Sequence, residues 1–195
     1  ADIGIEGGEA SMWLAEEDDA PRPPRPRRAH KWSAGAVLVA GGSTGMVGAS
    51  VLAARSALHF GAGAVAVASP RADLVTAAAP ELLTVSFEEA EERLDRFDVV
   101  IVGPGLDEND RDAVIPILGK ASRVLLDAGG IDASMLDAAA EGPTEVVVTP
   151  HAAEFQRLAG VGGGAFSVRA HAHRKGVVVL LKGNPTLISD GSEPI

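Results

Sequence analysis

Short apolar runs alternate with longer segments of helical periodicity from Gly35 onward. The apolar runs lack polar residues at alternate positions, which is typical of strands that are buried on both faces. We predict strands at 35–40, 64–68, 82–85, 99–102, 124–126, 146–148, 177–181 and 186–189. We predict helices at 46–60, 72–79, 88–96, 110–118, 132–140 and 150–158, and a further helical stretch around 171–173. This alternation predicts an α/β fold in which helices flank a largely parallel central sheet.

Several residues predict where these elements begin and end. The side chains of Asp132 and Thr149 can accept hydrogen bonds from amides of a first helical turn, so we predict both as N-caps. Gly61 and Gly160 are predicted to end helices, because glycine readily adopts the left-handed conformation that follows a last turn. Asp190-Gly191 predicts a hairpin turn after the last strand.

Five of the predicted strands are followed directly by glycines or polar residues. Ligands of open α/β sheets bind outside the carboxyl ends of the strands, and parallel strands bring those ends to one edge. We therefore expect these five segments to share one edge of the sheet. They are Gly41-Gly42-Ser43, Gly103-Pro104-Gly105, Asp127, Thr149-Pro150-His151 and Lys182-Gly183.

Each of these segments also has a purely structural interpretation. The glycines at 41–48 lead into a helix whose first amides can face an anion, but they fit neither common nucleotide-binding loop and also suit a tight turn. Asp127 can cap a helix, bind a metal ion or bind a sugar hydroxyl. Lys182 can be an ordinary surface lysine or a phosphate ligand. His171 and His173 lack a third ligand, so zinc is not expected.

Composition and charge narrow the function classes. With 195 residues, 46% of them hydrophobic and 23% charged, the chain suits one globular domain or slightly more. A net charge of −10 argues against nucleic acid and anionic membranes as partners, and no apolar run approaches the roughly 20 residues of a membrane span. The absence of cysteine excludes disulfides and thiolate metal sites. We expect a cytoplasmic protein.

The first 31 residues have a different composition. Residues 1–20 contain seven acidic residues and no basic ones, whereas 21–31 are rich in proline and arginine. Proline favours an extended chain, so we interpret this stretch as a linker, with a basic nucleic-acid-binding arm as the alternative. We expect residues 6–28 to be poorly ordered or loosely docked.

Taken together, the motifs resemble the ADP/ATP-dependent NAD(P)H-hydrate (NAD(P)HX) dehydratases. This family forms the C-terminal domain of bifunctional NAD(P)H-hydrate repair enzymes and belongs to the ribokinase-like superfamily. The matching segments are 30–31, 39–49, 58–63, 80–83, 102–106, 126–128, 148–155 and 180–186. The resemblance covers 29–195, and residues 1–28 then resemble the tail of a preceding epimerase domain followed by a linker.

The resemblance implies a three-layer ribokinase-like sandwich and a metabolite-repair lyase. (S)-NADHX or NADPHX is dehydrated to NADH or NADPH while ADP or ATP is consumed, through phosphorylation of the ring hydroxyl and elimination of phosphate, with Mg²⁺ as cofactor. By motif position, Ala49, Gly105 and His151 bind the hydrate, and Glu154 contacts Mg²⁺ through water. The nucleotide is bound by Lys182, Gly183, Asn184, Pro185 and Thr186. A homo-oligomer is also implied.

Two departures from the family pattern leave alternatives open. The family's Asp-Ala-Asp is Asp127-Ala128-Gly129 here, which leaves the role of Asp127 open. The family's Gly-Thr-Gly-Asp, which carries the catalytic aspartate, does not occur within 1–195. We therefore expect that aspartate beyond Ile195 and an incomplete C-terminal part. A ribokinase-like small-molecule kinase and an inactive nucleotide-binding module are the alternatives, and Thr149-Pro150-His151 favours the dehydratase over the kinase.

Overall fold

The structure is a computed structural model that describes residues 12–16, 19, 34–141 and 144–192. The expected epimerase-like tail and linker at 1–28, and the expected poor order of 6–28, lie outside the described residues except at 12–16 and 19. The strands are β1 (Ala36–Ala40), β2 (Ala64–Ala68), β3 (Leu83–Val85), β4 (Val99–Val102), β5 (Arg123–Leu126), β6 (Glu145–Val148), β7 (Val178–Leu181) and β8 (Leu187–Ser189). The helices are α1 (Val47–Phe60), α2 (Ala72–Ala78), α3 (Phe87–Glu92), α4 (Arg111–Leu118), α5 (Ala133–Ala140), α6 (Ala152–Ala159) and α7 (Ala165–Lys175).

The described strands form one eight-stranded sheet, which confirms the predicted α/β class. The strand order is β3-β2-β1-β4-β5-β6-β7-β8, and every neighbouring pair is parallel except β7 and β8. The turn 182–186 joins this antiparallel pair. The hairpin predicted at Asp190-Gly191 needs residues after β8 that are described only as far as 192, so it stays a prediction.

Two apolar cores lie on opposite faces of the sheet. The larger core contains alternate residues of β1, β2 and β4 to β7, such as Leu38 and Leu126, packed against α3 to α7. The smaller core, around Val39 and Val67, is packed against α1 and α2. Strand residues that face the α1 side farther along the sheet, Leu125, Val147 and Val178, are in register with one another but belong to neither core. They are only partly buried, so the α1 side of the sheet is less completely covered than the other.

The helix predicted at 88–96 was wrong as a single element. α3 ends at Glu92, and a separate 3₁₀ turn covers Leu94–Arg96. Phe87, Ala90 and Leu94 are all buried, so the apolar spacing continues across the break and gives no sign of it. α3 begins with a capping box in which Ser86 and Glu89 bond each other's backbone amide, a start signal that the prediction missed.

α4 includes Pro116, as predicted. Proline lacks the amide that would bond the carbonyl of Asp112. Both residues lie on the exposed side of the helix, where water can satisfy that carbonyl. None of the helices in the described part of the chain has the length and apolarity needed to cross a membrane.

The predicted N-caps were right at one helix and wrong at another. Asp132 caps α5 by accepting a hydrogen bond from the amide of Ser134 at 2.9 Å. The N-cap of α6 is His151 rather than Thr149, and Pro150 precedes the helix instead of beginning it. Gly61 and Gly160 end α1 and α6 as predicted, both with positive φ.

Candidate functional site

The five predicted segments all lie at the carboxyl edge of the sheet. They follow β1, β4, β5, β6 and β7, which are mutually parallel. Backbone hydrogen bonds join the segments at the two ends of this row: the amide of Ser43 donates to the carbonyl of Gly105 at 2.8 Å, and that of Lys182 to Pro150 at 2.7 Å. The predicted common edge is therefore confirmed, and its backbone is a continuous hydrogen-bonded surface.

Glycines allow the loops after β1, β4 and β5 to pack this closely. Gly103 has φ +119°, and a Cβ atom there would lie 1.7 Å from the carbonyl oxygen of Asp127. Gly105 has φ +69°, and its Cβ would lie 2.3 Å from the carbonyl oxygen of Met46. Both residues therefore need to be glycine for the packing of the edge itself.

Two residues predicted to bind the hydrate, Ala49 and Gly105, are neighbours in the structure. The methyl carbon of Ala49 lies 3.2 Å from the position that a Cβ of Gly105 would occupy. Ala49 is exposed in the first turn of α1, and the preceding Met46 caps that helix with no side-chain hydrogen bond. The first-turn amides of α1 therefore face the edge without a competing side-chain acceptor, which suits a polar or anionic group.

Ser43 connects two of the loops through its side chain. Its buried hydroxyl donates to Oδ2 of Asp110 at 2.5 Å and accepts the amide of Asp107 at 2.9 Å. Sequence reasoning missed both aspartates, because they lie more than sixty positions away in the chain. The Asp110 contact places one carboxylate beside the glycine loops, whereas Asp107 contacts Ser43 through its backbone amide.

Asp127 and Lys182 form an ion pair near the middle of the edge. Nζ of Lys182 donates to Oδ1 of Asp127 at 2.8 Å, and the hydroxyl of Thr149 donates to the same oxygen at 2.8 Å. Partial burial of the Asp127 carboxyl raises its pKa, but the hydrogen bonds from Lys182 and Thr149 and the lysine's charge outweigh burial. The pKa of Asp127 therefore lies below the ordinary value of 3.8, and the carboxylate stays charged at neutral pH. Asp127 makes no side-chain cap.

His151 and Glu154 are held together by a capping box at the start of α6. Nδ1 of His151 accepts the amides of Ala153 and Glu154 at 3.1 and 3.2 Å. The carboxylate of Glu154 accepts the amide of His151 at 2.8 Å. Nδ1 is thus an acceptor, so in the neutral ring the hydrogen is on Nε2, which lies 3.4 Å from Oε1 of Glu154. The His151 side chain remains 53% exposed and the Glu154 side chain only 10%.

The turn 182–186 carries the residues predicted to bind the nucleotide. All five are exposed, and the hydroxyl of Thr186 donates to the carbonyl of Gly183 at 3.1 Å across the turn. The backbone of Lys182 pairs with that of His151 in a parallel bridge. The turn is therefore anchored next to His151, while the Lys182 side chain, paired with Asp127, remains 44% exposed.

The other predicted histidines lie in α7, away from this edge. His171 is buried and packs edge-on against Phe155, with ring centroids 5.6 Å apart. Burial, and then the charges of Arg174 and Lys175, lower the pKa of His171. Within the described residues, no group of three or more His, Asp or Glu side chains is arranged to hold a metal ion.

Comparison with known proteins identifies the family. The family model of NAD(P)H-hydrate dehydratases matches residues 37–195. The bifunctional NAD(P)H-hydrate repair enzyme Nnr of Hyperthermus butylicus is 34% identical over 94% of this chain and 39% of its own length. The ADP-dependent (S)-NAD(P)H-hydrate dehydratase of Lactiplantibacillus plantarum is 28% identical over 84% of this chain and 64% of its own length. The chain thus spans less than two thirds of either relative.

Solved structures show the same fold. The ADP/ATP-dependent NAD(P)H-hydrate dehydratase of Bacillus subtilis, co-crystallised with ATP/Mg²⁺, superposes with a TM-score of 0.73 at 26% identity, covering 88% of this chain and 66% of that one. A ribokinase-like superfamily protein of Enterococcus faecalis gives a TM-score of 0.70 at 25% identity, covering 88% of this chain and 65% of that one. The chain therefore belongs to the NAD(P)H-hydrate dehydratase family and has its ribokinase-like fold.

Proposed function

We propose that this chain takes part in the nucleotide-dependent dehydration of (S)-NADHX and NADPHX to NADH and NADPH. The observation that carries the proposal is the carboxyl edge, where the cationic Lys182 turn lies beside His151, and the paired glycine loops lie farther along the same edge. Relatives that share the fold are named for this reaction or were crystallised with ATP/Mg²⁺. ADP and ATP both remain candidate co-substrates.

The reaction needs activation, because hydroxide is a poor leaving group. Transfer of the terminal phosphoryl group of ADP or ATP to the ring hydroxyl forms a phosphate ester and releases AMP or ADP. The ester C–O bond then breaks, phosphate leaves with the bonding electrons, and a proton is lost from the neighbouring carbon as the ring double bond forms. Catalysis of the first step depends chiefly on positioning and on neutralising phosphate charge.

For the nucleotide, we propose that the turn 182–186 binds the phosphates and ribose. Lys182 supplies a positive charge, and Gly183 lets the backbone amides approach the phosphate oxygens. The bond to Asp127 holds the ammonium at the edge before nucleotide arrives, so less side-chain entropy is lost on binding.

For the hydrate, we propose contacts from Ala49, Gly105 and His151. Ala49 and Gly105 lie together at the start of α1, whereas His151 follows β6, which is separated from β4 by β5. The two contact points are thus spread along the edge, which suits an extended dinucleotide. The His151 side chain is 53% exposed, so the open part of its ring is available to the hydrate while Nδ1 caps α6.

The described residues do not by themselves form a Mg²⁺ site. The carboxylate of Glu154 is largely buried and engaged in the capping box with His151. Mg²⁺ usually keeps several waters and binds through substrate phosphates, so a water-mediated contact from Glu154 stays a proposal and we derive no step from it. A cytoplasmic location, a homo-oligomer and a catalytic aspartate outside 1–195 also stay predictions.

Variants of His151 test the proposed division of the edge. His151→Ala removes both the ring and the cap of α6, whereas His151→Asn removes the ring but keeps a good N-cap. We expect both variants to weaken NADHX binding about fivefold, the effect of one lost hydrogen bond of about 1 kcal/mol, and to leave ADP binding unchanged. Only His151→Ala should lower the free energy of unfolding, by about 1 kcal/mol.

Calorimetric titration of parent and variants with NADHX and with ADP, beside urea denaturation, gives all three quantities. If His151→Asn bound NADHX as tightly as the parent, the assignment of His151 to the hydrate would be wrong. If ADP and NADHX displaced each other competitively, both would occupy one position and the proposed arrangement would fail.

A further inference from the structure

The start of α4 carries an aspartate that does not cap its own helix. Asp110 occupies the N-cap position of α4 but makes no side-chain hydrogen bond to the first-turn amides. Its carboxylate instead accepts the hydroxyl of Ser43, which lies 67 positions away in the loop after β1, with Oγ and Oδ2 2.5 Å apart. An aspartate at an N-cap ordinarily stabilises its helix by accepting one of those amides. This carboxylate therefore joins two loops of the edge rather than stabilising α4.

The Ser43 side of this contact is fixed by three hydrogen bonds. The residue is buried, and its hydroxyl both donates to Asp110 and accepts the amide of Asp107 at 2.9 Å. Its backbone amide donates to the carbonyl of Gly105 at 2.8 Å. Breaking a bond of a buried hydroxyl leaves a polar group unpaired, which is costly. The loop after β4 is consequently held to Ser43 at three points along its length.

These bonds set the distance between two residues proposed to bind the hydrate. On the α1 side, the amide of Met46 donates to the carbonyl of Ser43 at 2.8 Å, and Met46 is the N-cap of the helix that carries Ala49. On the other side, Gly105 lies against Met46 and Ala49, so that a Cβ there would be 3.2 Å from the Ala49 methyl carbon. A shift of Ser43 relative to Asp110 would therefore separate Ala49 from Gly105.

We propose that Ser43 and Asp110 are positioning residues, whose bond holds Ala49 and Gly105 in place before the hydrate binds. Less of the loop structure then has to be ordered on binding, so the bond contributes to hydrate affinity. This inference rests on the proposed function, which assigns Ala49 and Gly105 to the hydrate. The turn 182–186 follows β7, which β5 and β6 separate from the loops held by Ser43, so nucleotide affinity should not depend on the bond.

Variants of both partners separate positioning from charge. Asp110→Ala removes the acceptor and its charge, whereas Asp110→Asn removes the charge but keeps an oxygen that can accept the hydroxyl. Asp112→Ala is a matched control, because Asp112 carries the same charge and is exposed in the first turn of the same helix. Ser43→Ala, alone and combined with Asp110→Ala, shows whether the two residues act through one bond.

Each variant is titrated calorimetrically with NADHX and with ADP. Asp110→Ala and Ser43→Ala should each raise the Kd for NADHX by about threefold to tenfold, and the double variant should bind like Ser43→Ala alone. Asp110→Asn and Asp112→Ala should bind NADHX like the parent, and the Kd for ADP should be unchanged in every variant. Without ligand, hydrogen exchange of the Ser43 amide should be faster in Asp110→Ala, because its bond to Gly105 is loosened.

The two measurements distinguish failure of this inference from failure of the hydrate site. If Asp110→Ala exchanged faster but bound NADHX like the parent, while His151→Asn bound it weakly, the bond would only order the loops and the inference would be overturned. Additive effects in the double variant, or equal weakening of NADHX and ADP, would also overturn it. If the parent did not bind NADHX, or bound it independently of His151, the proposed hydrate site would fail and this inference with it.

Discussion

Asp127 makes side-chain contacts at the edge that its position in the sequence does not reveal. In the sequence it directly follows an apolar strand, a position that suits a helix cap, a metal ligand or a sugar ligand. In the structure its oxygen receives hydrogen bonds from Lys182 and Thr149, residues of two other strand ends. Because all three residues directly follow parallel strands, the sequence could predict that they share an edge. It could not predict that the lysine and the threonine bond the same oxygen.

The Asp127 ion pair has a consequence for stability at acid pH. The pKa of Asp127 in the folded chain lies below 3.8, so the carboxylate stabilises the fold above that pH and the contribution is lost as pH falls through the folded pKa. Asp127→Asn should therefore lower the free energy of unfolding at pH 7, by up to about 1 kcal/mol for a half-exposed pair. The difference between parent and variant should begin to shrink as the pH falls towards 3.8 and should go on shrinking as the pH falls through the folded pKa.

Urea denaturation of both proteins at several pH values between 7 and 3 measures this difference. Asp73→Asn is a matched control, because Asp73 also has a lowered pKa and an ion pair, here with Arg71, but lies on the surface. A parent-to-variant difference that persisted unchanged at the lowest pH would show that the charge of Asp127 does not stabilise the fold.

At the scale of elements, the strands were easier to predict than the helix ends. Buried parallel strands are apolar throughout, so each one was recognisable as an apolar run. The residues that follow these runs then predicted the carboxyl edge of the sheet. The N-cap of α6 was missed because histidine is an unusual cap and Thr149 is a common one. In the structure the Thr149 hydroxyl instead donates a hydrogen bond to Asp127. The break after α3 was invisible because the apolar spacing continues through it.

The loops at the carboxyl edge pack closely against one another through their backbones. In the sequence, the only sign of this packing is the presence of glycines. Gly103→Ala places a Cβ against the backbone of Asp127 at a positive φ, and a backbone clash cannot be relieved by a side-chain rotation. We expect the free energy of unfolding to fall by more than about 2 kcal/mol.

Gly48→Ala is the matched control for this substitution. A Cβ at Gly48 meets nothing within 4 Å, and the residue lies in α1, where alanine is favoured over glycine by up to about 1 kcal/mol. Urea denaturation should show Gly48→Ala to be neutral or stabilising. If Gly103→Ala were as stable as the parent, the three loops would not be packed as tightly as the structure shows.

At the scale of the whole molecule, one edge concentrates the polar groups while the two faces are covered unequally. Five helices pack on one face, and α1 and α2 pack on the other beside β1 to β3. A groove of about 510 Å³ lined by Leu125, Phe60 and Asp127 runs along that second face to the edge. The edge itself was predictable, because five strands placed glycines or polar residues at their carboxyl ends. The unequal covering of the two faces was not predictable, since it depends on the face of the sheet on which each helix packs.

Because the chain has a net charge of −10, nucleotide binding depends above all on the position of Lys182. An acidic surface repels a nucleotide, so its binding requires a local cation, and the structure places Lys182 at the edge beside the turn amides. Lys175 is a matched control: it too forms an ion pair, to Asp137 with Nζ and Oδ1 2.6 Å apart, but at the end of α7 that leads into the amino end of β7.

Calorimetric titration of Lys182→Ala and Lys175→Ala with ADP and with ATP, in the presence of Mg²⁺, tests that claim most directly. The loss of a charge-assisted hydrogen bond of about 1.5–3 kcal/mol predicts that Lys182→Ala raises the Kd by roughly tenfold to a hundredfold. Lys175→Ala should bind like the parent, and both variants should unfold within about 1 kcal/mol of it. If Lys182→Ala bound nucleotide as tightly as Lys175→Ala, Lys182 would be an ordinary surface lysine and the assignment of the turn 182–186 to the nucleotide would be wrong.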